Sequence, residues 1–113
     1  MSAERDAMIR AALAELRDDF ASRLPDRIEA VSKAIRAADG DRQDGELRDE
    51  ARGAAHRLRG SAGSYGFPAV SVAAGRIEDA LVALAAGSAE DPVAAWATIT
   101  EARAELERAA NEG

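Results

Sequence analysis

Apolar residues recur at intervals of three and four along nearly the whole chain, and nowhere do they alternate with polar ones as a half-buried strand requires. The stripes read, in order, Ile9, Leu13 (with Ala12), Leu16 and Phe20; Ile28, Val31, Ile35 and Ala38; Leu47, Ala51, Ala54/Ala55, Leu58 and Ala62; Val70, Ala73/Ala74, Ile77, Leu81 and Leu84; and Val93, Trp96, Ile99 and Leu106. Each stripe occupies one face of an α-helix. A helix with a single apolar face must bury it against other helices, so the pattern predicts a bundle around one core. Abundant Ala, Leu, Arg and Glu support helix throughout.

The breaks between stripes are legible too. Ser2 is a plausible first cap, with Glu4 and Asp6 in the first turn. Pro25 disfavours a helical residue before it, which predicts a break near Leu24 and a second helix from Pro25 to Ala38. Asp39-Gly40-Asp41 ends that helix, and the connection extends to about Gly45. A third helix is predicted from about Glu46 to Ser64, a turn at Tyr65-Gly66-Phe67-Pro68, and a fourth helix opening at Pro68. After Gly87-Ser88-Ala89-Glu90-Asp91, Asp91 caps a fifth helix with Pro92 in its first position, which frays at Asn111-Glu112-Gly113. The expected fold is therefore all-α: an antiparallel up-down four-helix bundle over about 25–111, with an additional N-terminal helix over about 3–23 as an extension or lid. With 113 residues, a single domain spanning 1–113 is expected.

Composition narrows the function classes. There is no cysteine, hence no disulfide or thiolate chemistry. The charged N-terminus lacks a signal-peptide apolar region, and no apolar run approaches the ~20 residues that cross a bilayer. A cytoplasmic protein without a membrane partner is expected. A net charge of -6 and few aromatics argue against nucleic acid. One histidine and scattered carboxylates offer no metal-ligand cluster, so neither metal nor cofactor is expected.

That one histidine lies in the third stretch. On a helix His56, Arg59, Gly60 and Gly63 fall at i, i+3, i+4 and i+7 and share a face. Leu58 and His56 are about 200° apart around the helix, so the ring points away from the core centre. Gly53, Gly60 and Gly63 each cost a helix about 1 kcal/mol relative to alanine, which calls for a packing or access reason. Between Ala51 and Ile77 there is no Asp or Glu, while Arg52, Arg57, Arg59 and Arg76 are present. This basic island on an acidic chain favours phosphate-like ligands and acidic partner surfaces.

Folding the hairpin about Phe67 sets residues equidistant from it level with one another. His56 then meets Glu78, Arg59 meets Gly75, and Gly63 meets Ser71. Glu78 is expected to accept a hydrogen bond from Nδ1 of His56, which fixes the tautomer and leaves Nε2 outward with its lone pair. Such a nitrogen can attack phosphorus. Arg59 would screen the added charge, and Gly60 would leave room for the phosphoryl group and an incoming acceptor. No P-loop or kinase Gly-rich loop is present, so the phosphoryl group must come from a partner.

The run His56-Arg57-Leu58-Arg59-Gly60-Ser61-Ala62-Gly63-Ser64-Tyr65-Gly66 resembles the signature of histidine-containing phosphotransfer (HPt) domains, a His-x-x-Lys-Gly pattern followed by small residues and a glycine. The resemblance spans the helix, the turn and the start of the next helix, and more loosely the Leu24-Pro25 break and the bundle. It implies an intermediary in a multistep two-component phosphorelay, carrying a phosphoryl group on His56 between receiver-domain aspartates. It implies receiver domains of response regulators and a hybrid histidine kinase as partners. In this reading His56 is the phosphoacceptor, Arg59 the cationic neighbour and Gly60 the clearance residue, with Gly63 beside them. Glu78 matches a position that is a glutamate in the related phosphotransfer domain of chemotaxis kinases and a glutamine in some others. The family's usual lysine is Arg59 here, which keeps charge but changes geometry to a planar fork. The protein is expected to be a carrier rather than an enzyme, and a monomer, since its reactive face must stay free. Two alternatives are a phosphorylation-independent helical adaptor that docks on a receiver or kinase, and the phosphoacceptor domain of a chemotaxis-type kinase. The opening Met1 and fraying last helix favour a free-standing small protein over the second.

Overall fold

The computed structural model describes residues 2–112. Four helices follow one another: α1 (Ser2–Gly40), α2 (Gly45–Ser64), α3 (Pro68–Ala86) and α4 (Pro92–Glu112), with no strand among the described residues. Each helix packs on two neighbours in a closed ring, α1 on α2, α2 on α3, α3 on α4 and α4 on α1. The short connections make neighbours antiparallel.

The stripes supply the core. Ile28, Val31, Ile35 and Ala38 of α1 meet Ala51, Ala55, Leu58 and Ala62 of α2, Val70, Ala73, Ala74, Ile77 and Leu81 of α3, and Trp96, Ile99, Ala102 and Leu106 of α4. Leu47 and Leu84 are partly buried against it. Alanine is frequent on the facing sides of α2 and α3, which lets their backbones approach. Among the described residues one polar side chain joins the interior: Ser32 is fully buried, donates to Glu107 across the α1–α4 contact and accepts from Arg36 at 2.8 Å. That satisfies a hydroxyl whose burial would otherwise be costly.

The turns follow the expected chemistry. Asp44 caps α2, its carboxylate accepting from the backbone of Glu46 and Leu47. Gly66 (φ 83°) completes the α2–α3 turn, where a side chain would be strained, and Pro68 opens α3. Asp91 accepts from the Ala94 N–H at 3.2 Å and Pro92 starts α4. That helix persists through Glu112; Gly113, the last residue of the expected fray, lies outside the described residues.

Three expectations are corrected. The additional N-terminal helix over 3–23 and the break at Leu24 do not exist as such: α1 runs unbroken for 39 residues, with Pro25 inside it and Ser2 already helical. Pro25 removes one N–H and leaves the Ala21 carbonyl without its helical donor, but both residues are exposed, so water can serve that oxygen. Phe20 and Leu24 before the proline and Ile28 after it are anchored in one core, which holds the helix across the defect. Second, the apolar residues of 2–19 do not reach the core. Every residue of this segment is exposed, including Ile9, Leu13 and Leu16 at 50–58 %. Phe20, stacked on Tyr65 at 4.9 Å and near Phe67 at 5.5 Å, marks the end of the bundle. Third, Val93 is exposed, in the first turn of α4 at the rim of the core.

Candidate functional site

The α2–α3 hairpin forms as the level pairing predicts. Phe67 donates its N–H to the Ala62 carbonyl at 2.8 Å, closing the turn. Above it, the Ser71 hydroxyl donates to the Arg59 carbonyl at 2.9 Å, tying the helices side to side. A Cβ on Gly63 would stand 3.3 Å from that hydroxyl oxygen, so Gly63 serves close helix approach. Gly60 has nothing within 4 Å of the place a Cβ would take; its bareness opens the surface rather than tightening a contact.

Between the two helices lies a shallow groove of about 560 Å³, lined by His56, Arg59, Gly60, Gly63, Ser71 and Glu78 together with Ser64. All five residues singled out from the sequence therefore border one space. Nδ1 of His56 is 2.6 Å from Oε2 of Glu78, and the imidazole side chain is 65 % exposed while the carboxylate is 12 %. Arg59 donates through Nη1 to Oε1 of Glu78 at 3.1 Å and to Oδ1 of Asp79 at 3.4 Å.

The electrostatics settle the proton on the ring. Burial works to raise the pKa of Glu78, but hydrogen bonds from Arg59 and His56, and then their charges, outweigh it and hold the carboxyl below its ordinary value. An ionised carboxylate only accepts, so Nδ1 must carry the hydrogen. In the neutral ring Nε2 is then the nitrogen with a lone pair, and the ring is two-thirds open to solvent. The Arg59 guanidinium is stabilised in turn: the hydrogen bond to Glu78 and the charge of Asp79 raise its pKa.

Two participants went unassigned in the sequence reading. Asp79 is the second carboxylate on Arg59. Gly75 gives the guanidinium its path: a Cβ there would stand 3.0 Å from Arg59 Nε and 3.1 Å from Cζ. The signal was present, since Arg59 lies level with Gly75 and a long side chain laid over a glycine reaches the next turn. The basic island is also corrected. Arg52 pairs with Asp49 at 3.1 Å, and Arg76 with Glu105 at 2.8 Å and Glu101 at 3.5 Å. Acidic residues absent from the local sequence arrive from the preceding turn and from α4. Arg57 alone of the four arginines makes no ion pair among the described residues.

No group of three or more His, Asp or Glu that could hold a metal occurs among the described residues, and no described helix is long and apolar enough to cross a membrane. Compared with known proteins, residues 15–112 match the family model described as Hpt domain. No curated protein and no solved structure matches.

Proposed function

This chain belongs to the Hpt domain family, and we propose that it carries a phosphoryl group on His56 between aspartates of receiver domains. Hpt domains are phosphocarrier modules of two-component signalling rather than kinases, and they interact with receiver domains. The observation that carries the reading for this chain is the orientation of one ring: Nδ1 on Glu78, and the imidazole exposed over the open surface at Gly60.

The chemistry follows from that orientation. The Nε2 lone pair attacks the phosphorus of a receiver's aspartyl phosphate, the N–P bond forms, and the aspartate carboxylate leaves with the P–O electron pair. The attacking nitrogen has no proton to lose. The ring keeps its hydrogen on Nδ1 and gains positive charge, which the Glu78 carboxylate opposes at hydrogen-bond distance. In the return step a second receiver's carboxylate attacks phosphorus, and the imidazole departs as a neutral ring. Arg59 contacts both carboxylates through Nη1, which leaves its other N–H groups as the donors for phosphoryl oxygens once the side chain turns toward them. Gly60 leaves room for in-line approach of a second protein. We place the protein in the cytoplasm, between a hybrid histidine kinase and response regulators.

The test is transfer from a phosphorylated receiver. Acid-labile, base-stable label is expected on the wild-type chain and none on His56→Gln. Label persisting in that variant, or absent from the wild type with every receiver of the source genome, would leave the adaptor reading instead.

A further inference from the structure

Two arginines follow His56 within one turn, and each lies over a glycine. Arg59 runs over Gly75 and is held by Glu78 and Asp79. Arg57 runs back over Gly53, where a Cβ would stand 3.2 Å from its Nη1. Gly53 thereby gives this guanidinium a surface to lie on, a reason for its cost to the helix. No carboxylate holds Arg57. It is exposed and has neither an ion pair nor a side-chain hydrogen bond among the described residues.

Across the seam between α1 and α2 stands a second such cation. Arg27 is exposed, with its Cζ 5.3 Å from the centroid of the Phe20 ring, and it too makes no ion pair among the described residues. Arg27 and Arg57 border one depression of about 130 Å³, whose other walls are Ala30, Val31, Ala54 and Leu58. Each head leans toward the N-terminus of its own helix, over Phe20 and Gly53, and the helices are antiparallel. The heads therefore lean apart, as like charges do with no anion between them. The two sides of His56 thus differ. Toward α3, Arg59 is neutralised by two carboxylates. Toward α1, two guanidiniums stand uncompensated.

We propose that a receiver domain places an acidic side chain in this α1–α2 seam while its aspartyl phosphate meets His56, with Arg57 as the principal contact and Arg27 as the second. The inference rests on the carrier reading and adds to it the side toward which the receiver leans. Charge complementarity selects the occupant. A net charge of -6 repels an anionic donor at long range, so uncompensated cations beside the ring favour its approach there. The depression suits one Asp or Glu: its methylene rests on Ala30 and Ala54, and its carboxylate draws the two exposed heads inward. Contacts at the rim of an interface act on encounter and on the choice among partners more than on the chemistry at Nε2.

Single-turnover transfer to the full chain, from whichever phosphorylated receiver of the source genome donates fastest, tests this over a range of receiver concentrations. Arg57→Glu should raise the half-saturating concentration roughly three- to tenfold and keep the limiting rate. Arg27→Glu should act in the same direction and less, and Arg57→Lys should stay close to wild type, since charge is what is read. Added salt should slow wild-type transfer at low receiver concentration and slow Arg57→Glu less. Arg108→Glu makes the same change in net charge on α4 and should leave transfer as it is. The proposal falls if Arg57→Glu leaves the half-saturating concentration unchanged, if it lowers the limiting rate instead, or if Arg108→Glu has an equal effect. Phosphoramidate, a small donor with nothing to dock, keeps this failure apart from that of the carrier reading. A chain that it labels on His56, and that receivers label without regard to Arg57, keeps the carrier and loses the seam. A chain that neither donor labels loses both.

Discussion

The two halves of α1 carry the same apolar spacing and meet opposite fates. Residues 20–38 place Phe20, Leu24, Ile28, Val31, Ile35 and Ala38 at 7 % exposure or less. Residues 8–16 place Met8, Ile9, Leu13 and Leu16 at 50 % or more. Periodicity is a property of the helix alone; burial needs something on the other side. Residues 20–38 have α2 and α4 beside them, and residues 2–19 extend beyond the ends of both.

Substitutions at matched positions should show the contrast most strongly. Ile28→Ala empties a fully buried site and is expected to cost about 2–5 kcal/mol in urea unfolding. Leu13→Ala, measured on dilute monomer, is expected to stay within about 0.5 kcal/mol. A comparable loss at Leu13 would mean that the projecting half folds back onto the bundle. Pro25 lies close to where the halves join, and Pro25→Ala restores a helical N–H to the Ala21 carbonyl. The gain should be about 2 kcal/mol, the intrinsic helix penalty of proline less the stiffening it gives the unfolded chain. Hydrogen exchange should show the added protection passing from the bundle into residues 21–25; an unchanged midpoint would mean that the defect is already relieved.

Charge sharpens the same comparison, since carboxylates of the projecting half face water while Glu78 is held between the His56 ring and the Arg59 guanidinium. Its folded pKa is depressed. Its contribution is therefore present in full above the ordinary carboxylate value of about 4.3 and is lost as pH falls through the lower folded value. The stability gap between wild type and Glu78→Gln should narrow in acid over that window; a gap independent of pH would mean that Glu78 acts by packing alone. A more local effect is expected from Gly75→Ala. The new methyl presses on Arg59 Nε and Cζ, which must give by a few tenths of an ångström and so loosen the Nη1 contacts, and the Glu78 carboxyl, followed by NMR titration, should move up toward its ordinary value. The helix itself gains about 1 kcal/mol from alanine. An unmoved titration would show that the guanidinium reaches Glu78 by another path.

The sequence was most informative where geometry is local. A hairpin closed at Phe67 fixes which residues of α2 and α3 stand level, and that alone brought His56 to Glu78 and Gly63 to Ser71. Asp91 and Pro92 announced α4 because caps act within one turn. Legibility failed where the outcome depended on distant chain. Whether Pro25 breaks a helix was decided by the core on both sides of it. Whether Arg76 belongs to a basic patch was decided by Glu101 and Glu105, more than twenty residues away. Val93 shows the same limit, an apolar residue in register that the packing of α4 does not cover.

Because the chain has a single imidazole, its two nitrogens are the whole of the protein's histidine spectrum. One faces a carboxylate and the other is left to solvent, so ¹⁵N labelling yields two unlike lines with no assignment problem. Arrival of a phosphoryl group would displace the solvent-side line directly, turning the molecule into its own gauge of relay traffic, read without radioactivity or antibody.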